Sequence, residues 1–301
     1  MPHALTAFDE SDESAVDEPA VVARLRSAGC VFAEEEAALL LAEARTPADL
    51  ERMLSARVSG LPLEHVVGWA EFCGQRMRVD PGVFVPRRRT EFLVAQALAL
   101  ATAGSRSGAG SRSGTAPVVV DLCCGSGALG AAFSAGFGGT AEVYAADIDA
   151  AAVACAQHNL AADRVFQGDL YDALPDRLRG RISLLLANTP YVPSGAVAAM
   201  PREARLHEGS VALDGGDDGL DIQRRVAAGA AEWLAPGGHL LVEASAAQSR
   251  ASAALFTAAG LAARVERSEE WDATVVIGTR PAARTRPAAS VGDSGARRDR
   301  Q

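Results

Sequence analysis

The chain has 301 residues, is 49% hydrophobic and 22% charged, and carries a formal net charge of −9 at pH 7. Its length suits one large domain with a small companion, while its apolar runs stop well short of the ~20 residues of a membrane span. The acidic start MPHALTAFDESDESAVDE is no leader peptide, which makes the cytoplasm the expected compartment, and the acidity argues against a stable nucleic-acid partner, whose phosphates favour basic surfaces.

Residues 1–18 and 281–301 are polar, charged or Pro/Ala-rich and are expected to be disordered tails. Between 19 and 64, VVARLRSAG and AEEEAALLLAEA show helical spacing, and a third helix opens at Thr46-Pro47, a cap followed by a proline at the first helical position. These three helices make a small N-terminal domain. Residues 65–85 hold AEFC and RMRV around Gly74-Gln75, which predicts a hairpin connector. A helix from Thr90 to about Ala103 opens the main domain, 86–280, and the Gly/Ser-rich stretch 103–116 reads as a flexible loop. Strands VVVDL, EVYAAD, ISLLLAN, HLLVEA and ATVVIG then alternate with helical stretches. Such α/β alternation predicts a mostly parallel sheet covered on both faces, with ligands at the carboxyl ends of its strands. The five cysteines show no CxxC spacing, so free thiols are expected and no metal.

The ligand signals fall at those strand ends. VVVDL runs through Asp121 into Cys123-Cys124-Gly125-Ser126-Gly127, a glycine turn that lets a ligand approach the backbone. About twenty residues on, Asp147 ends the next strand and can accept from ribose hydroxyls. Asp169 before Leu170 can accept from an adenine amino group. Together they suggest a nucleoside pocket. ISLLLA ends in Asn188-Thr189-Pro190-Tyr191. An NH2 group needs two acceptors to turn its lone pair toward an electrophile; the Asn188 side chain and the Thr189 carbonyl supply them, and Tyr191 offers a flat face.

With these residues the chain resembles the HemK-type release-factor glutamine methyltransferases and the related ribosomal-protein glutamine methyltransferase, over roughly residues 19–280. Further matches are Gly60-Leu61-Pro62, GWAEFCG from Gly68 to Gly74, and Pro86-Arg87-Arg88-Arg89-Thr90-Glu91, similar to the family's P-R-x-x-T-E. His207-Glu208, the stretch from Ala212 to Leu220, Pro236-Gly237-Gly238, Glu243 and Gln248 add to it. The resemblance implies a Rossmann-like class I methyltransferase domain of seven strands behind a helical substrate domain, with S-adenosyl-L-methionine as cofactor. Asp121, Cys123 to Gly127, Asp147, Asp169 and Leu170 are then expected at the cofactor, with Asn188 shared. Asn188 to Tyr191, with Arg87, Thr90 and Glu91, are expected at the acceptor, a glutamine amide in a protein such as the Gly-Gly-Gln loop of a release factor. The chain departs from the family at Thr189, where N-P-P-Y has proline, and at Ser183, Leu170 and Gly209. Two alternatives remain open: an amino-group methyltransferase acting on DNA or RNA, and a cofactor-binding protein without catalysis.

Overall fold

The computed structural model describes residues 17–107 and 116–282, so the expected tails lie almost wholly outside the described residues. Helices α1 (Glu18–Ser27), α2 (Ala33–Glu43), α3 (Pro47–Val58) and α4 (Leu63–Val67) come first. Thr46 caps α3 by accepting from the Asp49 amide at 3.1 Å. Val21, Leu25, Leu40, Leu50 and Leu54 close a core of their own between these helices. The five-residue α4 adds a fourth helix to the three expected, fitted between Pro62 and the left-handed Gly68.

Strands β1 (Trp69–Phe72) and β2 (Gln75–Arg78) form the hairpin. Its turn is Cys73-Gly74, not Gly74-Gln75: both residues have positive φ, 52° and 70°, the geometry that a two-residue turn needs to match strand twist. Helix α5 (Glu91–Ser107) then runs four residues beyond the expected end, so the loop predicted over 103–116 begins later, and residues 108–115 lie outside the described ones. Extending an existing helix through one glycine costs only about 1 kcal/mol, little against a docked helix.

The rest alternates: β3 (Val118–Leu122), α6 (Ala128–Gly136), β4 (Glu142–Asp147), α7 (Ala150–Asn159), β5 (Val165–Gln167), β6 (Ile182–Ala187), α8 (Arg202–His207), α9 (Asp221–Trp233), β7 (Leu234–Glu243), α10 (Ser249–Ala258), β8 (Ala262–Ser268) and β9 (Ala273–Thr279). The seven-stranded sheet has the order β5-β4-β3-β6-β7-β9-β8, parallel from β5 to β7, with β9 running antiparallel between β7 and β8. β3 is wholly buried; Val118, Val120 and Leu122 face a core with Val226, Trp233 and Phe256, while Val119 faces Phe92, Leu93 and Phe133. That two-residue alternation is what a sheet covered on both faces demands.

The strand order reverses at β3, between β4 and β6, where the carboxyl ends leave a crevice. Register fixes what lines it. Ala146, Leu122, Ala187 and Val242 lie abreast, so the residues that follow, Asp147, Cys123, Asn188 and Glu243, form one row along the sheet edge.

Candidate active site

A cleft of about 230 Å³ opens over that row. It is walled by the 82–90 segment, the β3 turn, the ends of β4 and β6, and residues from the long β6–α9 connection, including Met200, Val211 and Leu213.

Asp147 organises the end of the cleft over β4. Its carboxylate accepts from the Gly125 and Asp149 amides, each at 2.9 Å, so it clamps the glycine turn as well as facing the cleft. Burial raises its pKa, against the pull of those amides. Asp149 caps α7 through the Ala151 amide. Asp169 lines the cleft with one oxygen paired to Arg225 Nη2 at 2.7 Å, and Leu170, at φ 50°, presents its side chain beside it. Cys123, Cys124, Gly125 and Ser126 also line the cleft. Burial pushes both thiols well above their ordinary range, so they serve as neutral, unreactive wall.

Three expected site residues sit elsewhere. Gly127, at φ 76°, does not line the cleft; a Cβ there would stand 2.9 Å from Leu160 Cδ1 and 3.1 Å from Ala156 Cβ, so this glycine serves the packing of the turn on α7. Glu91 accepts from the Cys73 amide at 3.0 Å and holds the hairpin turn. Asp121 is fully buried behind the turn, where it accepts from the Gly130 amide at 2.9 Å and steadies the start of α6. Glu91 and Asp121 are second to the cleft because their carboxylates are drawn to backbone amides behind it.

Burial pushes the Asp121 carboxyl up to about 8, from an ordinary value of 3.8. The folded state therefore holds this proton more tightly than the unfolded chain does. The resulting stabilisation is fully present below the unfolded value and is lost as pH rises toward 8. Asp121→Asn, which keeps an oxygen for Gly130, is expected to flatten that fall. Urea unfolding at a series of pH values from 4 to 8 checks it, and an unchanged slope would rule the assignment out.

The opposite end is built on Asn188-Thr189-Pro190-Tyr191, all of which line the cleft. Among the described residues nothing hydrogen-bonds the Asn188 side-chain amide, so both of its polar atoms are open to a ligand. Tyr191 donates to Glu243 Oε1 at 3.2 Å and accepts from Arg89. Burial, and then Glu243, push its hydroxyl up to about 12, so it remains a donor throughout the working range. Gln248 Nε2 donates to the Tyr191 carbonyl at 2.9 Å and to the Asp218 carbonyl at 3.0 Å, pinning the motif to the loop before α9. Gly219, at φ 75°, is required there, since a Cβ would meet the Tyr191 carbonyl oxygen at 2.3 Å. Thr90 is buried on the lining, and Arg87 on the same wall is paired to the buried Glu208. Burial raises the Glu208 pKa, with Arg87 opposing it. The sequence reading gave Glu243, Gln248 and Arg89 no role; their only signal was that they fall in family-like stretches.

Thr189 is 1% exposed and its hydroxyl has no hydrogen-bond partner among the described residues. A buried unpaired hydroxyl costs about 1–3 kcal/mol. Thr189→Val and Thr189→Pro are each expected to raise Tm, and Thr189→Pro to keep turnover within about threefold, because only the backbone carbonyl of this residue is needed. Loss of activity in Thr189→Pro would show that the hydroxyl or amide takes part.

The cleft fits a nucleoside with a sulfonium-bearing arm. Carboxylates at Asp147 and Asp169 suit sugar and amine donors, and Ile148, Leu170 and Ile222 offer apolar faces. The sheet order and this cleft define an S-adenosyl-L-methionine-dependent class I methyltransferase. The methyltransferase small domain family model matches residues 111–216. A release factor glutamine methyltransferase of Cereibacter sphaeroides is 37% identical over 267 residues, covering 81% of this chain and 89% of that protein. One from Geobacter sulfurreducens is 34% identical over 212 residues, 69% of each chain. A 4-amino-L-phenylalanine/4-methylamino-L-phenylalanine methyltransferase of Streptomyces pristinaespiralis is 39% identical over 206 residues, 68% of each chain. The chain belongs to the family of the release factor glutamine methyltransferases.

Proposed function

We propose that this enzyme methylates the side-chain amide nitrogen of a glutamine in a protein, with the Gly-Gly-Gln loop of a release factor as first candidate. The observation that carries the reading is the Asn188 amide just past the end of β6, without a hydrogen-bond partner among the described residues, one strand from the glycine turn and on the same cleft lining as Tyr191. When bound, the cofactor supplies a methyl group on a sulfonium and departs as a neutral thioether. Asn188 Oδ1 and the Thr189 carbonyl each accept one N–H of the acceptor, which turns its lone pair toward the cofactor end of the cleft. The Tyr191 ring backs the planar group. A neutral amide is a weak nucleophile, so these acceptors act by orientation and by matching the positive charge that grows on nitrogen. The nitrogen then loses one proton to water.

A second acceptor is favoured by one observation: the Streptomyces pristinaespiralis relative is named for methylating the amine of an aromatic amino acid. A ring amine is also a planar NH2 and would use the same two acceptors. Incubating the purified enzyme with methyl-labelled cofactor, release factors and a cell extract, then locating the label by mass spectrometry, tests the reading. Label on a protein glutamine is the expected result. Label confined to nucleic acid, or to free amino acids, would overturn it.

No helix among the described residues is long and apolar enough to cross a membrane.

A further inference from the structure

Arg89 stands on the cleft lining at a position that the P-R-x-x-T-E pattern leaves open. Its inner edge is engaged: Nε donates to Glu243 Oε1 at 3.1 Å and Nη2 to the Tyr191 hydroxyl, with the guanidinium 5.8 Å from the tyrosine ring centroid. Glu243 is 4% exposed on its side chain, whereas that of Arg89 is 48% exposed. A guanidinium carries five N–H groups in one plane. Two are engaged here, and the other three have no partner among the described residues. The neighbouring arginines strengthen the local charge. Arg87 is fastened to buried Glu208 and stacks 5.0 Å from Phe84, and exposed Arg88 has no ion pair among the described residues. Glu208 and Glu243 thus offset two of the three arginines.

A guanidinium held on one edge and open on the other is preorganised for a planar anion, because its rotamer is already fixed before the anion arrives. We infer that Arg89 is a specificity residue that binds a carboxylate carried by the methyl acceptor, one tyrosine ring away from the nitrogen held at Asn188. The inference rests on the acceptor site proposed above. The carboxylate can come from an acidic side chain next to a glutamine or from the α-carboxylate of a free amino acid, and the two sources are separable.

Two matched pairs of probes test this. The first is blocked Gly-Gly-Gln-Glu against blocked Gly-Gly-Gln-Met; the second is 4-amino-L-phenylalanine against its α-carboxamide. For each, kcat and KM are measured, together with the Kd for enzyme saturated with S-adenosylhomocysteine. In at least one pair the carboxylate member is expected to win by about tenfold or more in Kd and in KM, the scale of one charge-assisted contact. The pair that shows it identifies the source. Arg89→Met is expected to reduce the advantage to below about threefold, and Arg89→Lys to keep part of it, since the charge survives without the fork. No advantage in either pair for the unaltered enzyme, or an advantage that survives Arg89→Met, overturns the inference. Should Arg89→Met fail to fold, the unaltered enzyme and Arg89→Lys still decide. Methylation of the ring amine with none on glutamine would defeat the glutamine reading alone; a flat Kd comparison beside active glutamine transfer would defeat only the role of Arg89.

Discussion

Asn188→Ala is expected to lower single-turnover methyl transfer by roughly 100- to 1000-fold, the scale seen when one preorganised transition-state hydrogen bond is lost. The size follows from the site. Asn188 lies on the cleft lining one residue past the end of a buried central strand, so its backbone cannot drift to compensate. Removing the side chain leaves the acceptor nitrogen with only the Thr189 carbonyl to orient it. Cofactor affinity is expected to change little, because Asp147 ends β4 and Asp169 follows β5, away from β6. Rapid-quench rates on one accepted substrate check the first half, and calorimetric titration with the cofactor checks the second. A variant that turns over normally would mean that the two-acceptor arrangement is not how this enzyme works.

Asp147→Ala is expected to weaken cofactor binding by at least about tenfold while the fold survives. The ionised carboxylate would give the cofactor one or two charge-assisted hydrogen bonds, each worth about 1.5–3 kcal/mol. Its loss also frees the Gly125 amide, and with it the shape of the turn. The pH dependence has a definite sign. Burial raises the Asp147 pKa, so affinity that needs the ionised form disappears as pH falls through that raised value, at higher pH than an ordinary aspartate would require. Calorimetric titrations of the two proteins across pH test the assignment. Equal affinity would remove Asp147 from the cofactor site.

What could be read from the sequence was what is local and periodic. VVVDL is a continuous apolar run, as a strand buried on both faces must be, and it stands where expected. β8, AARVERS, went unread because it is a polar edge strand, and β5 because three residues carry no period. The row of Asp147, Cys123 and Asn188 was half legible: each ends an apolar run, yet only register brings the ends abreast. Arg89 and Glu243 were not legible as partners at all. They are 154 positions apart, and nothing in either local pattern points to the other. Asp121 and Glu91 matched the motif in type and place, yet both side chains turned to backbone amides behind the cleft.

The row along the sheet edge is also a ruler. Neighbouring strands lie about 4.8 Å apart, and Asp147, which ends β4, and Asn188, which follows β6, belong to strands two steps apart with β3 between them. A donor anchored at Asp147 must therefore span roughly 10 Å of strand spacing to present a group at Asn188. Both intervals are set by hydrogen-bonded central strands, which do not stretch to suit a shorter molecule. Choice of donor in this enzyme is in that sense a measurement of length, taken by the sheet before any side chain is consulted.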